Sequence, residues 1–411
     1  MSVRTAAFSA ILLGVISLAP SALHAQDTRE ATLEQQRAAK AKALQPYKPG
    51  KLEKWMLWFE DVDPITKLAP HDGFYLQYGF RWKPIGGGIG VGGGWRHDLF
   101  DRNARVVLGS GISTRNYRML MADFSLPYLL REKLEVGAQV LHRHNPQEDY
   151  WGLGIGSLAS DRVSFEVDYL NIEGRAIVRP RPWFEAGTRI GRMNGSVGHG
   201  TDGRFPSIEE RFTDATAPGL AEQPDFSYAE AFAAVDRRDQ KDNARDGGFY
   251  SLSWREYYDL DFDRYNFRAV DALAQQFFPI FDKKRVFAVQ ARLQSAAVDN
   301  GKGQQIPFYF KPTMGGSNSH RGFNDYRFRD DAVVYFNAEY RWEAFSGLDM
   351  ALFSDWGTVA PNIGRLKLAQ LENAYGIGFR FNTYKSVLFR VDVGFGGGEG
   401  TQYFFKFSKA F

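Results

Sequence analysis

The chain has 411 residues, 51 Lys and Arg against 48 Asp and Glu, no cysteine, and 15% aromatic residues. The near-balanced charge argues against nucleic acid as a partner, and the missing thiols exclude disulfides, cysteine catalysis and zinc thiolate sites. A mean hydropathy of −0.37 suits a soluble protein, yet a membrane β-barrel hides from hydropathy because its strands alternate lipid-facing and lumen-facing residues.

The first predicted element is a secretory signal peptide. Arg4 precedes an apolar run from Ala6 to about Ala19, and SALHA stands before Gln26, which predicts cleavage after Ala25. Cleavage removes Arg4 and leaves 50 basic against 48 acidic residues, a net charge of +2. Residues 26–72 read as a periplasmic leader, helical or disordered as far as Pro49 and then carrying the aromatic cluster KWMLWF. At fewer than about 50 residues it leaves little room for an independent periplasmic domain.

From Gly73 the hydrophobic period becomes two. VSFEVDY sets Val163, Phe165, Val167 and Tyr169 against Glu166 and Asp168. AVVYFNAEYRW sets Val334, Phe336, Ala338, Tyr340 and Trp342 against Val333, Tyr335, Asn337, Glu339 and Arg341. AYGIGFRFN and VLFRVDVGF likewise segregate Arg380, Arg390 and Asp392 from an apolar row. In each case the apolar row is read as facing lipid and the polar row as facing a lumen. Short links at 127–132, 179–182, 281–284, 345–347 and 383–386 alternate with longer polar connections near 146–161, 194–225, 298–332, 358–372 and 396–401. Short turns on one rim and long loops on the other are the pattern of a bacterial outer-membrane barrel. The expected fold is therefore all-β, a transmembrane antiparallel barrel of about 16 strands over 73–411, with 104–116 and 118–126 the pair least marked by a turn.

The last strand, TQYFFKFSKAF, brings Tyr403, Phe405, Phe407 and the terminal Phe411 into an alternating aromatic row. This resembles the signal read by the outer-membrane assembly machinery, with Lys409 where that pattern carries a hydrophobic residue. The expected location is the outer membrane of a Gram-negative-type bacterium, after Sec-type export.

Other constellations point to no chemistry. GGGIGVGGGW (86–95) lacks the GK[ST] of a phosphate loop, so its glycines are read as permitting curvature or close approach of a folded-in loop. His142 and His144 share a face near Glu148 and Asp149, a polar rim rather than a metal site. Residues 200–226 read as an extracellular cap with a short helix, and their carboxylates lack EF-hand spacing. No Ser-His-Asp grouping is visible, so no enzyme, metal or cofactor is expected.

The polar segment GGSNSHRGFNDYRFRDD (315–331) interrupts this pattern. Its Arg321-Gly322-Phe323 resembles the Arg-Gly-Phe/Tyr motif in the sixth extracellular loop of the BamA/TamA-type outer-membrane proteins, the bacterial surface antigen family. In that family the loop folds into the lumen and its arginine pairs with an acid in a Phe-x-Asp-x-Gly motif on the thirteenth strand. Here that is Phe353, Asp355 and Gly357, and the alternation in MALFSDWG puts Phe353 and Asp355 on one face. A guanidinium binds a carboxylate through two parallel hydrogen bonds, which favours Arg over Lys as such an anchor. Inward Glu339 and Arg341 on the twelfth strand fit the family, and VDRRDQKDNARDGGFY (235–250) resembles its Asp-x-Arg-Asp turn through Asp236, Arg238 and Asp239. Arg327 and Arg329 either line the lumen with Glu339 or keep the loop soluble.

The resemblance implies a barrel that assists insertion, assembly or translocation of protein or lipid without a chemical step. Its implied partners are outer-membrane lipid, the assembly machinery for its own insertion, and a protein or lipid substrate. The family's POTRA modules are missing from the short leader, so substrate capture by them does not carry over. The competing expectation is a diffusion pore or specific channel lined by Arg292, Arg380, Arg390, Asp392, Glu166 and Asp168.

Overall fold

The computed structural model describes residues 34–36, 39, 51, 54–55, 72–78, 87–298, 303–345, 347–382 and 387–406. The signal peptide, almost all of the leader, the turn at 383–386, Phe407 and Phe411 lie outside the described residues. The chain divides into the units Met1–Gly50 and Lys51–Phe411, and the second holds the whole sheet.

Sixteen strands form one antiparallel sheet in chain order. They are β1 (Gly73–Tyr78), β2 (Gly90–Leu99), β3 (Ala104–Ser113), β4 (Arg118–Tyr128), β5 (Leu134–Tyr150), β6 (Val163–Arg181), β7 (Phe184–His199) and β8 (Phe226–Asp236), followed by β9 (Gly247–Asp259), β10 (Phe267–Ile280), β11 (Arg285–Ala297), β12 (Ala332–Phe345), β13 (Leu348–Ala360), β14 (Glu372–Asn382), β15 (Val387–Gly396) and β16 (Gln402–Lys406). This is the sixteen-stranded transmembrane barrel fold expected from the alternation. Among the described residues no ladder joins β1 to β16, so these two are the sheet's edges.

Strand register tells which face is inside. Arg175, Arg189, Glu230 and Arg255 lie directly opposite one another across β6 to β9. Gln275, Gln290, Asn337 and Asp355 continue the same face across β10 to β13. The opposite face presents Leu120, Ile190, Leu252, Leu352 and Tyr375, each more than half exposed. A contiguous apolar surface of this kind belongs against hydrocarbon, and the charged face belongs inside.

At the upper end of β6 this register reverses the expected assignment. Glu166 and Asp168 point outward, whereas Phe165, Val167 and Tyr169 point into the lumen. The reason is length: β5 and β6 have 17 and 19 residues, well beyond the roughly 9–11 that cross a bilayer. Past the lipid band the outer face meets water, and the inner face packs under the long loops with Tyr150, Val163, Phe165, Val197, Ile208 and Phe308. Glu166 and Asp168 therefore do not line a pore.

Two smaller readings change as well. His142 and His144 point outward and bond Asp168 at 2.9 and 3.1 Å, while a bulge between Asn145 and Glu148 turns Glu148 inward. These groups do not converge. On β2, the close approach comes from a neighbouring strand rather than a loop: the Tyr75 hydroxyl crosses Gly94 to donate to the Leu108 carbonyl at 3.0 Å. A Cβ on Gly94 would lie 2.5 Å from that hydroxyl.

The long loops form a roof. In the connection at 200–225, a capping box at Ser207 starts the short 3-10 turn Ile208–Glu210, whose Ile208 is buried in the same aromatic cluster. The connection from 298 to 331 enters the barrel and carries a two-residue hairpin, Thr313–Met314 with Phe328–Arg329.

Candidate functional site: the ionic cluster under the 298–331 loop

Four neighbouring strands build the wall of the site. On their inner face Asn337, Asp355, Ala374 and Gly396 stand in one cross-strand row, and Glu339, Phe353, Gly376 and Gly394 in the next. β12 and β13 thus contribute polar and aromatic side chains, and β14 and β15 contribute almost none. The result is a hollow beside a carboxylate pair, and the loop fills it.

Within the loop, Gly316 donates to the Phe323 carbonyl at 3.0 Å, and His320 donates to the Gly316 carbonyl at 3.1 Å. This tight turn projects Arg321 at the wall. Its Nε donates to Asp355 Oδ2 at 2.8 Å and its Nη2 to Asp355 Oδ1 at 2.7 Å. Its backbone N–H reaches the same carboxylate at 2.9 Å, and its Nη1 donates to Glu339. The guanidinium carbon lies 3.5 Å from the centre of the Phe353 ring. Arg321 is 2% exposed and Asp355 and Glu339 are fully buried, so this pairing is not weakened by water as a surface pair would be.

The cluster extends beyond that pair. Glu339 also accepts from Arg341 at 2.7 Å and Arg380 at 2.8 Å. Arg390 Nε lies 2.8 Å from Asp392 Oδ2, and Arg390 Nη2 donates to the Ser317 carbonyl of the loop at 2.7 Å. Arg380 and Asp392 approach within 3.3 Å. Arg321, Arg341, Arg380 and Arg390 therefore face Glu339, Asp355 and Asp392 in a dry setting, where charges persist only when paired. Arg380, Arg390 and Asp392, expected to line a lumen, do point inward, but the loop covers them and they border no open channel.

Gly322 and Phe323 complete the loop contact. A Cβ on Gly322 would stand 2.6 Å from that of Ala374. Phe323 is buried among Met314, Phe328, Val333, Tyr335 and Val359, and Met314 sits over Gly357. Neither Arg327 nor Arg329 joins Glu339. Arg327 donates to Glu399 at 2.5 Å and to Ser157 Oγ at 2.8 Å, tying the loop to its neighbours. Arg329 is buried and donates to the Phe308 carbonyl at 2.7 Å.

Several contacts escaped the sequence reading. Gln275, Gln290 and Asn337 form a hydrogen-bonded ladder, at 2.7 and 2.9 Å, that ends on Asp355 at 2.7 Å. Their signal was an uncharged polar residue at an inward position of three successive strands. Lys406 on β16 donates to Asn318 of the loop at 2.6 Å. In the Asp-x-Arg-Asp turn, Asp236 receives Arg238 through two bonds of 2.8 Å. Arg245 crosses from that turn to Asp349 at 2.5 Å. Tyr403 and Phe405 point outward on β16, both well exposed.

The Omp85 superfamily domain matches residues 99–410. The chain belongs to the Omp85 superfamily. Among solved structures, this Omp85 barrel resembles BamA from Haemophilus ducreyi lacking POTRA domains 1–3, with 13% identity and a TM-score of 0.61 over 82% of this chain and 70% of that one. CdiB from Acinetobacter baumannii matches at 13% identity and a TM-score of 0.48, over 82% of this chain and 57% of that one. CdiB from Escherichia coli matches at 12% and 0.49, over 81% and 61%. At these identities the likeness concerns the fold. A search of curated proteins finds no match.

Steric closeness gives a direct test of how the loop sits on this Omp85 wall. A Cβ on Gly394 would lie 1.9 Å from the Arg321 carbonyl oxygen, whereas one on Gly174 meets nothing nearer than an Ile190 carbon at 3.8 Å. Gly394→Ala is expected to destabilise the barrel by about 1–3 kcal/mol, the range for overpacking, and Gly174→Ala to leave it unchanged. Urea unfolding of both variants in detergent checks this, and equal midpoints would mean the loop does not lie against β15.

Proposed function

We propose that this Omp85 barrel assists insertion, assembly or translocation of protein or lipid at the outer membrane, without a chemical step. Residues 1–25 act as its export signal and 26–72 as a periplasmic leader. Loop six is anchored in the lumen by Arg321, Gly322 and Phe323 against Phe353, Asp355 and Gly357. The seam between β1 and β16 loosens while the loop braces the wall. Membership of the Omp85 superfamily, with the fold likeness to BamA lacking POTRA domains 1–3, supports the reading's general direction.

One observation carries the mechanism: the same loop touches the interior of the wall and the strand at the sheet's edge. Arg321 holds it to β12 and β13, while Asn318 with Lys406 and Arg327 with Glu399 hold it to β16 and the connection before it. A brace spanning both regions lets an edge strand move without unfolding the rest. Tyr403 and Phe405 serve the assembly machinery as part of a terminal signal.

The chain contains no cysteine, so engineered pairs report cleanly. Cysteines replacing Phe74 on β1 are combined with cysteines at Tyr403 or Phe405 on β16, all on the outward face. Oxidative crosslinking in membranes is expected to abolish rescue of a depletion phenotype, and reductant to restore it. Full activity of the crosslinked barrel would move the route from the seam to the lumen.

A further inference from the structure

Away from the Arg321 cluster, the other half of the lumen keeps a cavity of about 560 Å³ between the inner face of β5–β9 and the underside of the sixth loop. That volume falls within the range of small-molecule pockets. Three features distinguish it from a space that merely holds water.

The first is Tyr326. Its φ is +61°, left-handed backbone that an aromatic residue seldom adopts. The side chain lies at the cavity with 48% of the residue's surface open. The conformation belongs to the turn that Arg327 closes by donating to the Asn324 carbonyl at 3.3 Å, so the loop's own fold sets the ring at the cavity.

The second is the set of polar groups beside the ring. Arg329 lines the cavity, is 7% exposed, and uses Nη1 on the Phe308 carbonyl, leaving Nε without a partner among the described residues. The Tyr309 hydroxyl, which also lines the cavity, is likewise without a partner among the described residues. Glu148, at the extracellular end of β5, faces the same space. Burial raises its carboxyl to about 7, with Arg329 opposing and Asp149 reinforcing the shift. Buried polar groups left without partners are costly, and a ligand that bonds them offsets the cost.

The third is charge. Arg255 is already bound to Glu230 and Lys311 to Asp331, and Glu173 accepts from Tyr228 at 2.8 Å. Glu148, which also bonds Asn145, and Arg329 remain, one acceptor and one donor lining the same cavity. An anion would meet Glu148 and Glu173, and a cation would meet Arg329 and Arg255. The groups match a neutral molecule whose donors and acceptors adjoin one another and which has an apolar face for the ring. Those are the properties of a pyranose sugar.

We propose that this cavity is a saccharide-binding site in which Tyr326 stacks on a sugar ring while Glu148 and Arg329 bond its hydroxyls. The site is separate from the loop anchor, and its occupancy does not depend on seam opening.

Saturation-transfer NMR and calorimetry on the purified full-length barrel test this with maltotriose, cellotriose, chitotriose and a free lipopolysaccharide core oligosaccharide as probes. At least one is expected to bind at concentrations up to about 10 mM. Tyr326→Phe should keep the affinity within about threefold, and Tyr326→Ala and Glu148→Gln should each weaken it at least about tenfold. Tyr326→Gly separates the site from a structural role: it relieves the backbone strain, so the barrel should unfold at the same or a higher temperature while losing binding. Binding by none of the four probes, or undiminished binding by Tyr326→Ala and Tyr326→Gly, would overturn the proposal.

Discussion

Arg321→Ala is expected to destabilise the barrel by about 3–5 kcal/mol, the cost of removing one partner from a buried ion pair. The substitution removes two bonds to Asp355 and one to Glu339, together with the ring contact on Phe353. Asp355 keeps Asn337 at 2.7 Å, a neutral donor that compensates a carboxylate only partly. Arg321→Lys should recover less than half of the loss, because an ammonium cannot engage both carboxylate oxygens in parallel. Arg365, exposed on the connection after β13, is the control: Arg365→Ala should stay within about 0.5 kcal/mol of the parent. Graded heating followed by gel mobility, and urea unfolding, measure all three. Equal stability of the Arg321→Ala and Arg365→Ala barrels would remove the anchor from the mechanism.

A larger loss is expected for Glu339→Gln, and charge balance is the reason. The cluster opposes four guanidiniums with three carboxylates, so Arg321→Ala leaves three against three. Glu339→Gln instead leaves four cations facing Asp355 and Asp392, and it removes the acceptor shared by Arg321, Arg341 and Arg380. The destabilisation should reach or exceed the upper end of the about 3–5 kcal/mol range. Adding Arg380→Gln should return part of it, since the second change removes a cation left uncompensated. The two effects are then strongly non-additive, as coupled neighbours are. Additive losses, or a Glu339→Gln barrel as stable as the parent, would show that the cluster is not a single electrostatic unit.

Much of the ionic cluster was legible because polar residues on membrane strands have one place to go. Alternation puts Glu339, Arg341, Asp355, Arg380, Arg390 and Asp392 on one face, and their cross-strand register sets them in neighbouring rows. A lone inward carboxylate needs a cation, and a polar loop carrying Arg321 was the visible source. The ladder of Gln275, Gln290 and Asn337 was not legible, since neutral polar residues face a lumen for many reasons and only register aligns them. The partners of Arg327 were not legible either: Ser157 and Glu399 are distant in sequence and meet only once three loops fold over the barrel.

By itself, the sequence determined that strands alternate, how many there are, and that short and long connections take turns, because a period of two and turn chemistry are local properties. It could not determine which face of an amphipathic strand is inside once that strand leaves the lipid, and so Glu166 and Asp168 were turned the wrong way. It also could not reveal that the loop covers Arg380 and Arg390, that Tyr75 rather than a loop approaches the β2 glycines, or that a cavity of about 560 Å³ remains beside Tyr326. Those outcomes rest on cross-strand register and on where the long loops come to lie, which only the whole sheet and its long-range contacts decide.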